Sequence, residues 1–232
     1  MASAYRELKE RVWAANQEIP RRGLAIYTFG NASAFDAARG VMVIKPSGVD
    51  YAKLGVDDLV VLDLEGKAVE GKLRPSSDTP THLVLYKAFK GVAGMVHTHS
   101  TYATGWAQAR MPIPIFGTTH ADHLGEDVPC TAVMSDEAVE RDYEVETGHQ
   151  ILEAFRNRDP VHVPMVLVAG HGPFTWGDTV EKAVYNAAVL EELARMAFVT
   201  HTLHPAAARL PPRLIRKHFE RKHGKDAYYG QK

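Results

Sequence analysis

The sequence predicts one α/β domain in which helices flank a largely antiparallel sheet. Short apolar runs rich in β-branched residues alternate with tight turns through the first third of the chain. Longer stretches with apolar residues at helical spacing open and close it. No internal repeat, low-complexity segment or long linker divides the 232 residues, a length that suits one sizeable domain or at most two small ones.

Taken in order, Tyr5 to Glu18 predicts a helix, since Leu8, Val12, Trp13 and Ala15 trace one stripe and Pro20 stops it. Leu24 to Phe29 reads as a strand that ends in a turn of small residues, Gly30-Asn31-Ala32-Ser33. Val41 to Lys45 is a second strand, closed by Pro46-Ser47-Gly48. Leu59 to Leu64 is a third, and Glu65-Gly66 turns it into a fourth, Ala68 to Lys72. Thr79-Pro80-Thr81 opens a helix to about Lys90, with Thr79 as N-cap and Pro80 first. The apolar run Gly91 to Val96 enters the core as a strand and leads into His97-Thr98-His99-Ser100; a helix follows from Thr101 to Ala109. Gly117 to His123 reads as a polar loop. Asp142 to Arg156 is a helix, and Met165 to Val168 a strand ending at Gly170-His171-Gly172-Pro173. Thr179 to His201 is a long helix with Ala183, Ala187, Leu190, Leu193 and Ala194 inward. Pro211-Pro212 opens a basic helix to about Lys222, before a tail ending Tyr228-Tyr229-Gly230.

Composition excludes several classes of function. A net charge of −1 argues against a general nucleic-acid binder. The one cysteine, Cys130, cannot form an intrachain disulfide and fits a reducing compartment. Met1 to Glu10 has no apolar signal core, and no apolar run approaches the ~20 residues of a membrane span. The expectation is a soluble, cytoplasmic protein without a membrane or nucleic-acid partner.

The chemistry gathers around His97 and His99. On an extended strand, side chains two apart point to one side, and neutral imidazole is the commonest protein metal ligand. His171, between two glycines after an apolar strand, completes a three-histidine set suited to catalytic zinc, with manganese or another divalent ion as the alternative. Asp78 is a ligand or a general base beside that metal, or simply a helix cap. The small-residue turns at Gly30-Asn31, Ser47-Gly48 and Ser76-Ser77 offer amides and hydroxyls to an anion, and Lys45 adds charge. No P-loop and no strand-linked G-x-G-x-x-G occurs, so hydride transfer to a nucleotide cofactor loses support. Further acid/base candidates are His120, Asp122, His218 and Tyr229.

In chain order, Gly30-Asn31, Ile44 to Val49, Pro75 to His82, Val96 to Ser100, Gly117 to Asp122, His171 to Phe174 and the tail Lys222 to Gln231 resemble the class II aldolase/adducin family, and within it the phosphopentulose 4-epimerases. The resemblance spans nearly the whole chain. It implies a single three-layer α/β/α domain over residues 1–232, with the basic helix and tail (about 211–232) contributing to the site, and a homotetramer with sites between subunits. It implies zinc on His97, His99 and His171, with Asp78 beside it as a further ligand or base. Gly30, Asn31, Lys45, Ser47, Gly48, Ser76 and Ser77, with Thr118 nearby, would bind a small phosphorylated pentulose. Asp122 and Tyr229 would transfer protons from a neighbouring subunit, supported by His218. The implied activity is metal-assisted cleavage and re-formation of a C3–C4 bond, interconverting L-ribulose 5-phosphate and D-xylulose 5-phosphate. Family aldolases of the fuculose- or rhamnulose-phosphate type carry Glu where this chain has Asp78, and the shorter side chain favours the epimerase over them. Adducin-like members keep the fold as an assembly module, without the metal.

Overall fold

The computed structural model describes residues 3–228. Seven strands form one sheet in the order β4-β3-β2-β1-β5-β7-β6, and every neighbouring pair is antiparallel. The strands are β1 (Asn31–Asp36), β2 (Val41–Ile44), β3 (Val60–Asp63), β4 (Ala68–Glu70), β5 (Gly94–His97), β6 (Met165–Val168) and β7 (Gly172–Gly177). The helices are α1 (Arg6–Arg21), α2 (Thr79–Ala88), α3 (Thr101–Gln108), α4 (Thr118–Ala121), α5 (Asp136–Ala154), α6 (Val180–Leu203) and α7 (Pro212–His223).

The sheet is buried on both faces, as the α/β/α expectation requires. Met42, Ile44, Val60, Leu62 and Met95 point into one core with α2, α3 and α5. Their alternates Val41, Val43, Val61 and Val96 point into a second core with α1 and the first half of α6. Double-sided burial explains why β2 and β3 read as unbroken apolar runs rather than as alternation.

The first strand lies later than the sequence reading placed it. Leu24 to Phe29 is irregular: Tyr27 takes a left-handed φ of 53°, and Ile26, Tyr27 and Phe29 are exposed. The small-residue segment read as a turn is β1 itself. Ala32 and Ala34 let α1 approach closely, and Asn16 of α1 brackets Ala32, accepting from its N–H at 2.9 Å and donating to its carbonyl at 3.1 Å. Packing at close range, not β propensity, sets this strand.

Four further boundaries differ. Asp78, not Thr79, occupies the N-cap of α2, and its carboxylate makes no cap bond. α5 starts at Asp136, with the Ser135 hydroxyl accepting from the Ala138 N–H. The segment is broken at Asp142 (φ −172°, ψ 93°), whose carboxylate accepts from the Val145 N–H at 3.2 Å; this second cap is why the sequence read a helix start there. Thr118–Ala121 is a short helix inside the expected polar loop. β7 escaped notice because glycines bound it and Pro173 interrupts the strand signal.

Beneath β1, Ser33 Oγ lies 2.7 Å from His82 Nδ1 and 2.8 Å from the Tyr86 hydroxyl, all three buried. Burial holds the His82 pKa down at about 4. An unfolded histidine takes its proton near 6.5, so the unfolded state binds more protons throughout the window from about 6.5 to about 4. His82 therefore withdraws up to about 3 kcal/mol of stability as pH falls through that window. Urea unfolding at pH 7 and pH 5 should show this loss, and His82→Gln should flatten the slope. Gly94 supplies a second check. A Cβ there would meet the backbone of Thr179 and Val180 at 2.3 Å, so Gly94→Ala should destabilise by about 3 kcal/mol or prevent soluble expression.

Candidate metal centre

His97 ends β5, paired with Asn31 on one side and Phe174 on the other. Its ring stacks on Phe174 with centroids 4.3 Å apart and planes 19° apart. Its Nδ1 lies 2.9 Å from the carbonyl oxygen of Pro173. A carbonyl can only accept, so Nδ1 carries the proton and Nε2 keeps a bare lone pair. That Nε2 sits 3.0 Å from Nε2 of His99. The strand stops at His97, so the turn into α3, rather than the pleat, brings His99 alongside. His171 comes from the β6–β7 turn, flanked by Gly170 at φ 75° and by Gly172, where a Cβ would lie 2.9 Å from the Thr98 carbonyl.

The candidate donor atoms of His97, His99 and His171 all lie within 4.8 Å of one another. Nitrogen ligands at tetrahedral zinc sit about 3.3 Å apart, so the 3.0 Å between His97 and His99 needs only a small adjustment. Burial, reinforced by His97 and His99, pushes the His171 pKa down to about 3, and burial with His97 also lowers that of His99. These rings are neutral at physiological pH, the protonation state that ligates. Three imidazole nitrogens in one partly buried cluster fit a divalent ion.

Asp78 stands beside this cluster but outside it. Its Oδ2 accepts from Asn31 Nδ2 at 2.6 Å and from Ser76 Oγ at 3.5 Å. Burial opposes its charge, but His97, His82, the Asn31 bond and His171 outweigh burial and hold its pKa below the usual range.

Next to Asn31 lie the residues expected to form an anion cradle. Lys45 is 1% exposed; its Nζ lies 4.9 Å over the Tyr51 ring and, among the described residues, hydrogen-bonds the Pro46 carbonyl at 3.5 Å. Burial pulls its pKa down to about 8, an effect that the Asp50 carboxylate offsets only in part. The Ser76 N–H donates to the Lys45 carbonyl at 3.0 Å, tying this strand end to the loop before α2. Gly30 (φ 81°) could not be another residue, because a Cβ would lie 2.5 Å from the His97 carbonyl. Asn31 thus contacts both Ser76 and Asp78, Gly30 abuts His97, and the Ser76 N–H ties in the backbone of Lys45. Ser47, Gly48 and Ser77 sit on the adjoining turns.

The acid/base candidates lie elsewhere in the chain. Asp122, just after α4, accepts from Arg221 of α7 through both oxygens, at 2.9 and 2.6 Å, and lies 2.9 Å from His218 Nδ1. Burial opposes the Asp122 charge, but Arg221, His218 and Lys222 prevail and lower its pKa. Thr118 is exposed in the first turn of α4, near Asp122 rather than the cradle. His120 is buried, with a pKa lowered to about 4 by burial, and faces inward. Tyr229 lies outside the described residues.

Residues 10–198 match the class II aldolase and adducin N-terminal domain. The chain belongs to this family. It is 53% identical over 226 residues to the L-ribulose-5-phosphate 4-epimerase UlaF of Salmonella paratyphi B, covering 97% of this chain and 99% of the relative. It is 52% identical, at the same coverage, to the UlaF of Salmonella typhi. Among solved structures, an L-fuculose 1-phosphate aldolase superposes with a TM-score of 0.79 at 27% identity, covering 95% of this chain and 97% of that one. An L-fuculose-1-phosphate aldolase from Thermus thermophilus, at 24% identity and a TM-score of 0.67, shares the fold over 88% of this chain and 98% of its own.

Two residues beside these candidates went unread in the sequence. Tyr143, whose hydroxyl lies 3.1 Å from His171 Nδ1, carries no motif and sits on a helix read as starting one residue earlier. Arg221 is one of several basic residues on α7, and only the fold singles it out. The expected signature of the metal centre is a coordinated loss. His97→Asn or His171→Asn should weaken zinc binding by more than about 100-fold, as lost ligands cost more than lost supporting contacts. Metal analysis after dialysis, with circular dichroism to confirm folding, checks it.

Proposed function

We propose that this protein is an L-ribulose-5-phosphate 4-epimerase, interconverting L-ribulose 5-phosphate and D-xylulose 5-phosphate. The observation that carries the reading is a three-histidine cluster together with a buried lysine that bonds no carboxylate among the described residues, in a chain matched over nearly its full length by epimerase relatives. A divalent ion, zinc in this reading, held by His97, His99 and His171 would polarise the sugar carbonyl as a Lewis acid.

The chain's own groups do the rest. Lys45 takes the phosphate, with Gly30, Asn31, Ser47, Gly48, Ser76 and Ser77 donating around it, and gains an anionic partner in direct contact. Carbon 4 bears no acidic proton, because the carbonyl is two bonds away at carbon 2. Inversion without oxidation therefore needs the C3–C4 bond to break. One member of the pair Asp122 and Tyr229 accepts the carbon-4 hydroxyl proton. The bond electrons pass to the dihydroxyacetone fragment, and carbon 4 becomes the aldehyde of glycolaldehyde phosphate. Held by its phosphate, that aldehyde turns its other face; the bond re-forms and the second member returns a proton to the carbon-4 oxygen. The two epimers present that oxygen on opposite sides, which is why two opposed groups are needed. Asp122, with His218 in support, and Tyr229 would come from a neighbouring subunit of a homotetramer, completed by the tail about 211–232. A cytoplasmic location fits such a sugar-phosphate enzyme.

Asp78 favours this activity over an aldolase. A glutamate there would reach a methylene further, toward the carbon whose proton an aldolase removes. Incubating the zinc-loaded enzyme with L-ribulose 5-phosphate and following D-xylulose 5-phosphate by a coupled assay should give turnover. Condensation of dihydroxyacetone phosphate with an aldehyde as the faster reaction would overturn the reading. Tyr229→Phe should lower kcat by about 10²–10⁴-fold while zinc content stays unchanged. Lys45→Met should act chiefly on KM for the phosphorylated sugar.

A further inference from the structure

We propose that Tyr143 is a positioning residue that holds His171 in its ligating orientation. The inference rests on the reading of the three histidines as a metal centre.

The three rings are not equally restrained. His97 is clamped by Phe174 and by the Pro173 carbonyl. His171 stands on a two-glycine hairpin turn, with no parallel stack among the described residues: His97, His99 and Phe174 meet its ring at steep angles, with centroids at 4.7, 5.1 and 6.2 Å. The polar contact at its outer nitrogen is the Tyr143 hydroxyl, 3.1 Å from Nδ1. With Nε2 directed at a metal, neutral imidazole carries its proton on Nδ1 and donates it to the phenolic oxygen. This fixes the tautomer as well as the ring angle.

The fold builds Tyr143 into that place. The break at Asp142 turns the chain just before it. The Asp142 carboxylate then caps the continuing helix at Val145, and Thr147 Oγ1 donates to the Tyr143 carbonyl at 2.8 Å. The next carbonyl, Glu144, accepts from Thr81 of α2 at 2.6 Å, fixing this turn to the helix that begins at Asp78. An Arg141–Glu146 ion pair at 3.0 Å spans the break. An uninterrupted helix would not carry these paired caps. The kink is thus a structural feature with a consequence at His171.

Tyr143→Phe keeps the ring and removes only the hydroxyl. Competition of zinc alone against a chromogenic chelator should show affinity weakened about 10–100-fold, the usual effect of losing such a partner. In metal-free protein, ¹⁵N imidazole spectra should show His171 mainly as the Nδ1–H tautomer in the parent and as a mixture in Tyr143→Phe, its signals assigned by their loss in His171→Asn. A mere packing role would not move that tautomer balance. Equal zinc affinity in parent and variant, or an unchanged tautomer, overturns the proposal while leaving the metal centre intact. A parent protein that binds no zinc overturns both.

Discussion

The antiparallel register that sets Asn31, His97 and Phe174 in one row across β1, β5 and β7 is the constraint on which the site depends. A slip of one residue would send His97 to the opposite core and place Val96 at the ligand face. The same row fixes the ring of His97, since Phe174 stacks on it and the carbonyl of the preceding Pro173 takes its Nδ1 proton. It also places Gly30 against the His97 carbonyl, where no side chain fits. His97, a candidate metal donor, and Asn31, in the proposed anion cradle, are therefore partners in one strand pairing.

Charge is distributed to leave this row unsatisfied. Lys45 is buried with no carboxylate bonded to it among the described residues, and Asp78 is held as an anion despite burial. Asn31 spends its amide on Asp78 and Ser76, while its Oδ1 has no partner among the described residues. Each departure costs stability on its own. A phosphate beside Lys45 and a cation among the imidazoles would compensate both at once. Elsewhere in the cores, polar groups such as Asn16 and Asn186 pair with backbone carbonyls, while His82 Nε2, Thr104 Oγ1 and His120 Nε2 are buried without a partner among the described residues. What sets this strand end apart is that a buried cation, a buried anion and an unpartnered amide oxygen lie beside the three histidines.

Much of this was legible in the chain itself. β2, β3, β5 and β6 follow from apolar runs, and α1, α2, α6 and α7 from stripes and prolines, because those signals are local. The histidine pair and His171 were legible because ligand chemistry needs those residue types in small-residue settings. β1 was misplaced because its residues are small rather than β-branched: close helix approach selects Ala32 and Ala34, and no local propensity reports that. β7 was hidden by Gly172 and Pro173, and the glycine is needed because a Cβ there would lie 2.9 Å from the Thr98 carbonyl. Tyr143 and Arg221 were illegible because their meaning lies in contacts across 28 and 99 residues of sequence.

The position of Asp122 bears on how the two halves of the chemistry divide. Arg221 holds both of its oxygens and His218 lies on one of them, so it rests as a carboxylate below the usual range. Such a group is a weak base toward a ground-state alcohol. In the proposed reaction it becomes competent only as the C3–C4 bond lengthens and the carbon-4 oxygen acquires the acidity of a protonated aldehyde. A phenol has the opposite bias, retaining its proton until a strong alkoxide forms. Paired across one carbon centre, the two suit opposite directions of the same transfer, and neither needs a large pKa change of its own. No contact among the described residues joins Asp122 to the histidine row within one chain. The α4–α7 surface that organises Asp122 and the strand end that organises His97 are therefore built as separate parts. In the proposed reaction their meeting is the work of a second copy of the chain.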